Sequence, residues 1–142
     1  MRNILILFLS TLLLFGQKQS IKIKSKYHHL KLINEWIFLS METLTKNESK
    51  SKEIIYADEN NVETLSFHRS GSISYNSFSK GESIKGRGKW MVNRYDGLRI
   101  IAESDTIDTN YIIEKDTLTI FTVEENGIDT KENKNVIRYK KK

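Results

Sequence analysis

The feature that most constrains the fold is a period-two alternation of apolar and polar residues, which recurs in short runs over most of the chain. Leu65 and Phe67 share one face of one run, and Ile73 and Tyr75 share one face of the next. Turn signals separate the runs at intervals of roughly 8–12 residues. The strongest is Asp96-Gly97, because this pair tolerates the positive φ of tight hairpin turns. The runs therefore indicate antiparallel strands joined by short hairpins.

About eight or nine such strands fit after residue 35, and no long helical segment separates them. An antiparallel meander of this length closes most easily into an up-and-down β-barrel, since closure removes exposed edge strands. We therefore predict an all-β barrel of about eight strands, with a two-sheet sandwich as the alternative. Ahead of the strands, Ile23, Tyr27, Leu30 and Ile33 recur at helical spacing and predict a short amphipathic helix over residues 22–33.

Residues 1–20 have the charge, length and order of a secretory signal peptide. A basic residue is followed by a mostly apolar run over residues 4–15 and then by Gly16 and a polar stretch. The run is too short to cross a bilayer, which needs roughly 20 apolar residues; an uncleaved anchor or a buried strand is the alternative. We expect cleavage after Gly16 or Ser20, which leaves one domain over residues 21–142 that is secreted or periplasmic.

The absence of cysteine excludes several classes of site. A disulfide framework, a cysteine-based zinc or iron–sulfur site, a cysteine nucleophile and a lipid anchor all need this residue, so we expect no stable membrane anchor. The net charge of +5 belongs to the chain ends, because residues 35–137 carry a net charge of −5. Nucleic-acid binders carry a basic stripe across the folded face. We therefore expect no nucleic-acid partner and interpret the basic ends as solvated tails, with a weak, unspecific attraction to anionic lipid or polysaccharide as the alternative.

No arrangement of residues indicates catalysis or metal binding. His28 and His29 are adjacent and face different ways, and His68 is expected at the solvent or in a turn. The acidic residues are scattered singly, and no Gly-x-Ser-x-Gly nucleophile motif is present. Gly86-Arg87-Gly88 lies inside a strand pattern and begins no helix, so it marks a bulge or close packing rather than a phosphate loop. We predict a protein that is not an enzyme and has no metal and no cofactor.

Five short motifs follow one another along the chain. They are Asn34-Glu35-Trp36, Leu65-Ser66-Phe67, Gly88-Lys89-Trp90, Asp96-Gly97-Leu98 and Asp116-Thr117-Leu118. In this order they resemble the bacterial secreted lipocalin-like domain family, whose first strand carries Gly-x-Trp. The chain departs from that pattern at Asn34, which is the least costly substitute for glycine if the backbone there is left-handed.

The resemblance implies a lipocalin-like barrel and a structural pair at its closed end. In such barrels a tryptophan of the first strand is buried at that end, and Trp36 is the matching residue. A basic side chain from the last strand often lies across this ring. Arg138 is the matching residue, and its guanidinium would stack on Trp36.

The inward face of the predicted barrel is apolar apart from two phenols and one indole. Its residues are Leu65, Phe67, Ile73, Tyr75, Trp90, Val92, Leu98, Ile100, Tyr111, Ile113, Leu118 and Ile120. The candidate contacts for a small apolar or amphipathic ligand are Phe67, Tyr75, Trp90, Ile100, Tyr111 and Ile120. The same residues would equally fill a solid core, and the pattern does not separate the two.

Adjacent apolar residues place one member of each pair on the outer face of a regular sheet. The outer set is Ile54, Ile101, Ile112, Phe121 and Val123. Three interpretations stand: the N-terminal helix covers the set, the set is a homodimer face or partner surface, or its members are scattered over separate strands.

Two functions follow. The favoured one is a secreted, non-enzymatic lipocalin-like protein that binds a small apolar or amphipathic molecule in its interior. The alternative is a secreted protein–protein interaction or inhibitor-type barrel with a filled core. A connected interior cavity on the order of hundreds of Å³ would favour the first function. A filled core with a contiguous apolar outer patch would favour the second.

Overall fold

The computed structural model describes residues 28–46, 51–93, 97–126 and 131–142. Within these ranges the chain forms one 3₁₀ helix, His28–Leu32, and nine β-strands. The strands are β1 (Glu35–Lys46), β2 (Ser51–Tyr56), β3 (Asn61–Phe67), β4 (Ser72–Ser79), β5 (Glu82–Asn93), β6 (Gly97–Ala102), β7 (Asp105–Glu114), β8 (Thr117–Asn126) and β9 (Lys131–Lys141).

The strands form one antiparallel sheet that closes on itself. Their order is β2-β1-β3-β4-β5-β6-β7-β8-β9, and β9 pairs back onto β1 from Trp36 to Lys46. Eight strands therefore form the barrel wall, and β2 is an extra strand. This confirms the predicted all-β, antiparallel up-and-down barrel of about eight strands. It excludes the two-sheet sandwich, because the β1–β9 ladder joins what would be the two sheet edges.

β1 has two partners along its other edge, which is why one strand lies outside the wall. Residues 35–37 pair with β3, and residues 40–45 pair with β2. The register of β1 against β9 shifts between Phe38 and Ser40, close to the change of partner. A bulge of this kind bends a strand and resets its alternation. Phe38 and Met41, three positions apart, are therefore both buried in the core.

Short turns connect the hairpins. Gly71 in the β3–β4 turn has a φ of 86°. Lys80 and Gly81 in the β4–β5 turn have φ values of 51° and 80°, so both central residues are left-handed, as in the type I′ turns that suit the twist of a hairpin. Asp96 of the Asp96-Gly97 turn lies outside the described residues.

One end of the barrel is closed by the 3₁₀ helix and the first tryptophan. Leu32 and Trp36 are buried, and Trp36 Nε1 donates to the carbonyl oxygen of Leu32 at 2.9 Å, which satisfies the polar atom of this ring. The Asn34 side-chain amide donates to the carbonyl of Lys31 at 2.9 Å, and the Asn34 carbonyl accepts from the N–H of Phe67. Asn34 does not have a positive φ, so the left-handed backbone considered for it does not occur.

The predicted stacking of Arg138 on Trp36 is wrong. Trp36 faces the interior and is 1% exposed. Arg138 lies between Ile137 and Tyr139, which are both buried, so the alternation of β9 turns it outward. Its Nη1 lies 3.4 Å from Glu42 Oε2 on the outer face. The tryptophan is at the closed end as the resemblance implies, but its predicted basic partner is on the opposite face of the sheet.

The predictions for the N-terminal region fall mostly outside the described residues. These include the signal peptide over residues 1–20 and the first part of the helix predicted over residues 22–33. The part of that helix that is described is a 3₁₀ helix, and its Leu30 is 40% exposed. Among the described residues, no helix has the length and apolar character needed to cross a membrane.

Candidate functional site in the barrel interior

The inward side chains near the closed end are apolar, and we call them the apolar tier. Its members are Leu32, Trp36, Phe38, Leu65, Phe67, Ile73, Trp90, Leu98, Ile100, Leu118, Ile120 and Ile137. Phe67 and Trp90 meet edge to face with ring centroids 5.5 Å apart, and Trp90 Nε1 donates to the carbonyl of His68 at 3.0 Å. The indole therefore ties the interior to the β3–β4 turn. The apolar tier supplies the buried core that the alternation predicts.

All six candidate ligand contacts point into the interior. They are Phe67, Tyr75, Trp90, Ile100, Tyr111 and Ile120, and their exposed fractions lie between 0% and 8%. Val92 and Ile113, also predicted inward, are partly buried against the same core. Tyr75 and Tyr111 are each two residues from a polar inward side chain, Ser77 and Thr109 respectively. Their rings therefore lie at the boundary between apolar and polar inward residues.

Towards the opposite end of the barrel the inward residues become polar, and we call them the polar tier. Its members are Thr43, Glu63, Ser77, Ser79, Thr109, Thr122 and Asn135. Sequence reasoning missed this tier because it followed only the apolar members of each alternation. Glu63 is two residues before Leu65 and Thr122 is two after Ile120, so both are in phase with the inward face. That phase is the signal that could have found them.

Glu63 of the polar tier is hydrogen-bonded to Tyr139, which pairs with Phe38 and Leu118 of the apolar tier. The Tyr139 hydroxyl donates to Glu63 Oε1 at 2.6 Å, and the two residues are 0% and 1% exposed. Burial raises the pKa of the Tyr139 hydroxyl well above its ordinary value, and the negative charge of Glu63 and this hydrogen bond raise it further. Tyr139 therefore remains a hydrogen-bond donor at any ordinary pH. A buried carboxylate is costly unless it is hydrogen-bonded, so this contact stabilises Glu63 in the interior.

Two hydroxyl groups of the polar tier make no hydrogen bond in the described part of the chain. They are Ser77 Oγ and Thr122 Oγ1, which belong to residues that are 2% and 3% exposed. Ser77 is paired with Glu63 in the β3–β4 register, whereas Thr122 lies on β8 across the barrel. A buried hydroxyl without a partner costs about 1–3 kcal/mol, and native proteins keep few of them. By contrast, Ser79 Oγ donates to Asn61 Oδ1 at 3.3 Å.

Tyr75 packs across Gly86 of the neighbouring strand. A Cβ atom on Gly86 would lie 2.6 Å from Tyr75 Cε2 and closer still to its Cζ and hydroxyl oxygen. Burial raises the pKa of the Tyr75 hydroxyl, and the negative charge of Glu103 adds to this effect. The sequence predicts a bulge or close packing beside Trp90 for Gly86-Arg87-Gly88; the close packing is present, but its partners are Tyr75 and the backbone of Ile101. The motif lies in a regular ladder, and a Cβ on Gly88 would meet the backbone of Ile101.

The outer apolar residues are interrupted by charge. Of the predicted set, Ile54, Ile112 and Val123 are exposed by 37–49%, and Ile101 and Phe121 are half-buried. Glu42 lies directly opposite Ile54 on this face and contacts Lys52 at 2.9 Å and Arg138 at 3.4 Å. The hydrogen bond from Lys52 is the main cause of the lowered pKa of Glu42, opposed by burial and supported by Arg138. Glu42 and its ion pairs therefore separate Ile54 from Val136 and Phe121 on the other side.

The described histidines show no convergence on a metal. His68 lies at the end of β3 on the outer surface, and its Nε2 is 3.0 Å from Ser74 Oγ. Among the residues that the structure describes, no group of three or more His, Asp or Glu side chains could hold a metal ion.

No family model matches this sequence, and no curated protein matches it. Among solved structures, the chain is similar to the crystal structure of the ywiB protein from Bacillus subtilis. The TM-score is 0.31 and the sequence identity is 12%, over 76% of this chain and 93% of that one. A similarity this low supports no assignment, so the chemistry of the barrel interior rests on its own residues.

Proposed function

We propose that this protein is a secreted, lipocalin-like binding protein that holds a small amphipathic molecule in its barrel and catalyses no reaction. One observation carries the proposal: the buried hydroxyls of Ser77 and Thr122 have no partner in the described part of the chain, and Ser77 lies directly opposite the buried Glu63. The polar end of a ligand would supply the missing hydrogen bonds. Its apolar end would contact the side chains at the boundary of the two tiers.

The polar tier also favours a particular polar end. Glu63 carries an acceptor-only carboxylate when ionised, and the nearby hydroxyls can accept as well as donate. A second carboxylate placed beside Glu63 would be repelled, and one of the two would have to bind a proton. We therefore propose that the ligand ends in a hydroxyl or an amine rather than a carboxylate.

The outer face gives less support to the alternative, an interaction or inhibitor-type barrel. Interfaces are marked by contiguous apolar patches larger than a few hundred Å². Here Glu42, with Lys52 and Arg138 beside it, lies among the exposed apolar residues. A homodimer or protein partner on this face would have to bury these ion pairs, which is costly.

Ligand titration tests the proposal directly. The purified protein is titrated with decanol, decylamine and decanoate, and binding is followed by tryptophan fluorescence, since Trp90 lies in the interior. We expect decanol and decylamine to bind at least about tenfold more tightly than decanoate. Native mass spectrometry of the protein isolated from its host should show a retained small molecule. Equal affinity for all three probes contradicts the choice of polar end, and no binding together with a bare mass contradicts the function.

Matched variants separate a ligand site from a structural network. The double variant Ser77→Ala/Thr122→Val removes the two unpartnered hydroxyls, so its free energy of unfolding should stay the same or rise, because no hydrogen bond is lost. Its affinity for decanol should fall by about tenfold. Ser79→Ala is the control, since its hydroxyl is already bonded to Asn61. If the double variant binds as tightly as the control, the polar tier does not contact the ligand.

Secretion is tested separately. Because residues 1–20 have the pattern of a signal peptide, the exported protein should begin at Gln17 or Ile21. N-terminal sequencing of protein recovered from the periplasm or the medium measures this. A chain that retains Met1 and is found only inside the cell contradicts the proposed compartment.

A further inference from the structure

β5 carries three basic residues in a row on the outer face of the barrel. Lys85, Arg87 and Lys89 alternate with Gly86 and Gly88, and all three basic side chains are exposed. Alternate residues of a strand are about 6.6–6.8 Å apart, so the three charges form a line some 13 Å long. We call this line the basic ridge. In the sequence it lies within the acidic body of the chain, between the basic ends that dominate the net charge.

A groove of about 740 Å³ runs beside the basic ridge over β3, β4 and β5. Two rows of the register cross it. One row joins Thr64, Asn76 and Lys85, and the next joins Ser66, Ser74 and Arg87. Each row therefore leads from uncharged hydroxyl or amide groups to a cation. Sugars are recognised by hydroxyl and amide side chains of this kind, which both donate and accept hydrogen bonds.

The cations of the ridge differ from Arg99 and Arg138 in having no ion-pair partner among the described residues. Elsewhere on the barrel, Arg99 donates two hydrogen bonds to Asp108, at 2.6 and 2.8 Å, and Arg138 contacts Glu42. Lys85, Arg87 and Lys89 make no ion pair in the part of the chain that the structure describes. The carboxylate in the groove is that of Glu35, and Lys142 holds it at 2.8 Å. The groove therefore has a net positive charge available to a ligand.

We infer that this groove binds a linear anionic polysaccharide, with its acidic groups along the basic ridge and its hydroxyl groups on Ser66, Ser74 and Asn76. Single-stranded nucleic acids are bound by positively charged grooves that also present aromatic side chains for base stacking. The aromatic residues of this region, Tyr75 and Trp90, are only 7% and 8% exposed. The groove thus offers charge and hydrogen bonds but no stacking surface. This inference is independent of the interior ligand.

Binding to three polymers tests the class of ligand. Heparin is the anionic polysaccharide, dextran is the neutral one, and polyuridylate is the nucleic acid, each measured by isothermal titration calorimetry with the whole chain. We expect heparin to bind, dextran to bind at least about tenfold more weakly, and the affinity for heparin to fall steeply with salt, because the ridge charges are exposed and screened. Polyuridylate that binds as tightly as heparin overturns the assignment to a polysaccharide.

Two sets of variants separate binding at the basic ridge from the general electrostatic attraction between a basic protein and an anionic polymer. Lys85→Gln/Arg87→Gln/Lys89→Gln should weaken heparin binding by at least about tenfold and reduce its salt dependence. The control, Lys31→Gln/Lys140→Gln/Lys141→Gln, removes the same charge from exposed positions outside the ridge and should change the affinity by less than about threefold. A ridge variant that binds like this control overturns the inference.

A hydroxyl variant probes the groove itself. Ser66→Ala/Ser74→Ala should weaken heparin binding by about threefold to tenfold and leave the salt dependence as it is, because no charge is removed. Circular dichroism and the unfolding midpoint confirm that each variant retains the barrel. An affinity unchanged by this variant would show that only charge attracts the polymer, and the groove would not be a polysaccharide site.

Discussion

The packing of Tyr75 across Gly86 makes a prediction that distinguishes a crowded contact from an ordinary strand substitution. Gly86→Ala would place a Cβ atom 2.6 Å from Tyr75 Cε2 and closer to two further atoms of that side chain. Real Cβ contacts are longer than this, so the tyrosine must move or the strands must separate. Overpacking of this kind costs about 1–3 kcal/mol. Replacement of glycine inside a strand also gains about 0.5–1 kcal/mol, because glycine loses more backbone entropy on folding.

The net effect of Gly86→Ala should therefore be a loss of about 1–2 kcal/mol in the free energy of unfolding. Tyr75→Leu removes the three crowded atoms, so in that background the same substitution should be neutral or should stabilise by up to about 1 kcal/mol. The coupling energy between the two positions is then about 2 kcal/mol, which lies within the range found for residues in contact.

Urea unfolding of the four proteins in this cycle measures the coupling, with the fluorescence of Trp36 and Trp90 as the signal, since both rings are buried. Gly88→Ala is the matched control. Its Cβ would meet the backbone of Ile101 and lie 3.1 Å from Ala102 Cα, so Tyr75→Leu cannot relieve it. If Gly86→Ala costs the same in both backgrounds to within about 0.5 kcal/mol, the argument from crowding fails.

Three further predictions concern buried or paired groups. Tyr139→Phe should lower the free energy of unfolding at neutral pH by about 1–3 kcal/mol, because Glu63 loses a donor. Above the ordinary tyrosine pKa of 10.0, the parent should lose stability faster than this variant, by up to about 1.4 kcal/mol per pH unit. The reason is that the pKa of Tyr139 is raised in the folded chain, so the unfolded chain releases this proton first. Urea unfolding at a series of alkaline pH values measures the difference. The pKa of Glu42 is lowered, so its ion pairs stabilise the fold above the ordinary pKa of 4.5 and this stabilisation is lost as the pH falls. Glu42→Gln should therefore reduce the fall of the thermal unfolding midpoint at acid pH. An unchanged fall would contradict the pairing. Trp36→Phe should cost about 2 kcal/mol in urea unfolding, because the carbonyl of Leu32 loses its buried donor.

The barrel could be predicted because its determinants are local. Period-two alternation sets which residues face inward, and turns such as Lys80-Gly81 set each register, so neighbouring hairpins follow from nearby residues. The closing β1–β9 ladder joins residues about a hundred positions apart, and the register shift between Phe38 and Ser40 has no strong signal in the sequence.

The site was harder to predict because its residues are defined by phase and by pairs across the barrel. The resemblance places Arg138 at the closed end of the barrel. Its position between Ile137 and Tyr139, which are both buried, requires its side chain to face outward. Glu63 follows the inward phase of Leu65 and could have been found by the same rule. Its contact with Tyr139, which lies 76 positions along the chain, could not, because it depends on how the barrel closes.

β5 joins the interior and the proposed groove in one stretch of sequence. On its inner face, Gly86 leaves space for the ring of Tyr75, which lies at the boundary between the apolar tier and the polar tier. On its outer face, Arg87 and its two lysine neighbours are free of ion pairs among the described residues. A side chain at Gly86 would move Tyr75 without changing the charge outside, whereas glutamine at Arg87 would change the charge without moving Tyr75. The two proposed sites can therefore be altered separately on the same strand, and binding of decanol and of heparin should respond to different substitutions in it.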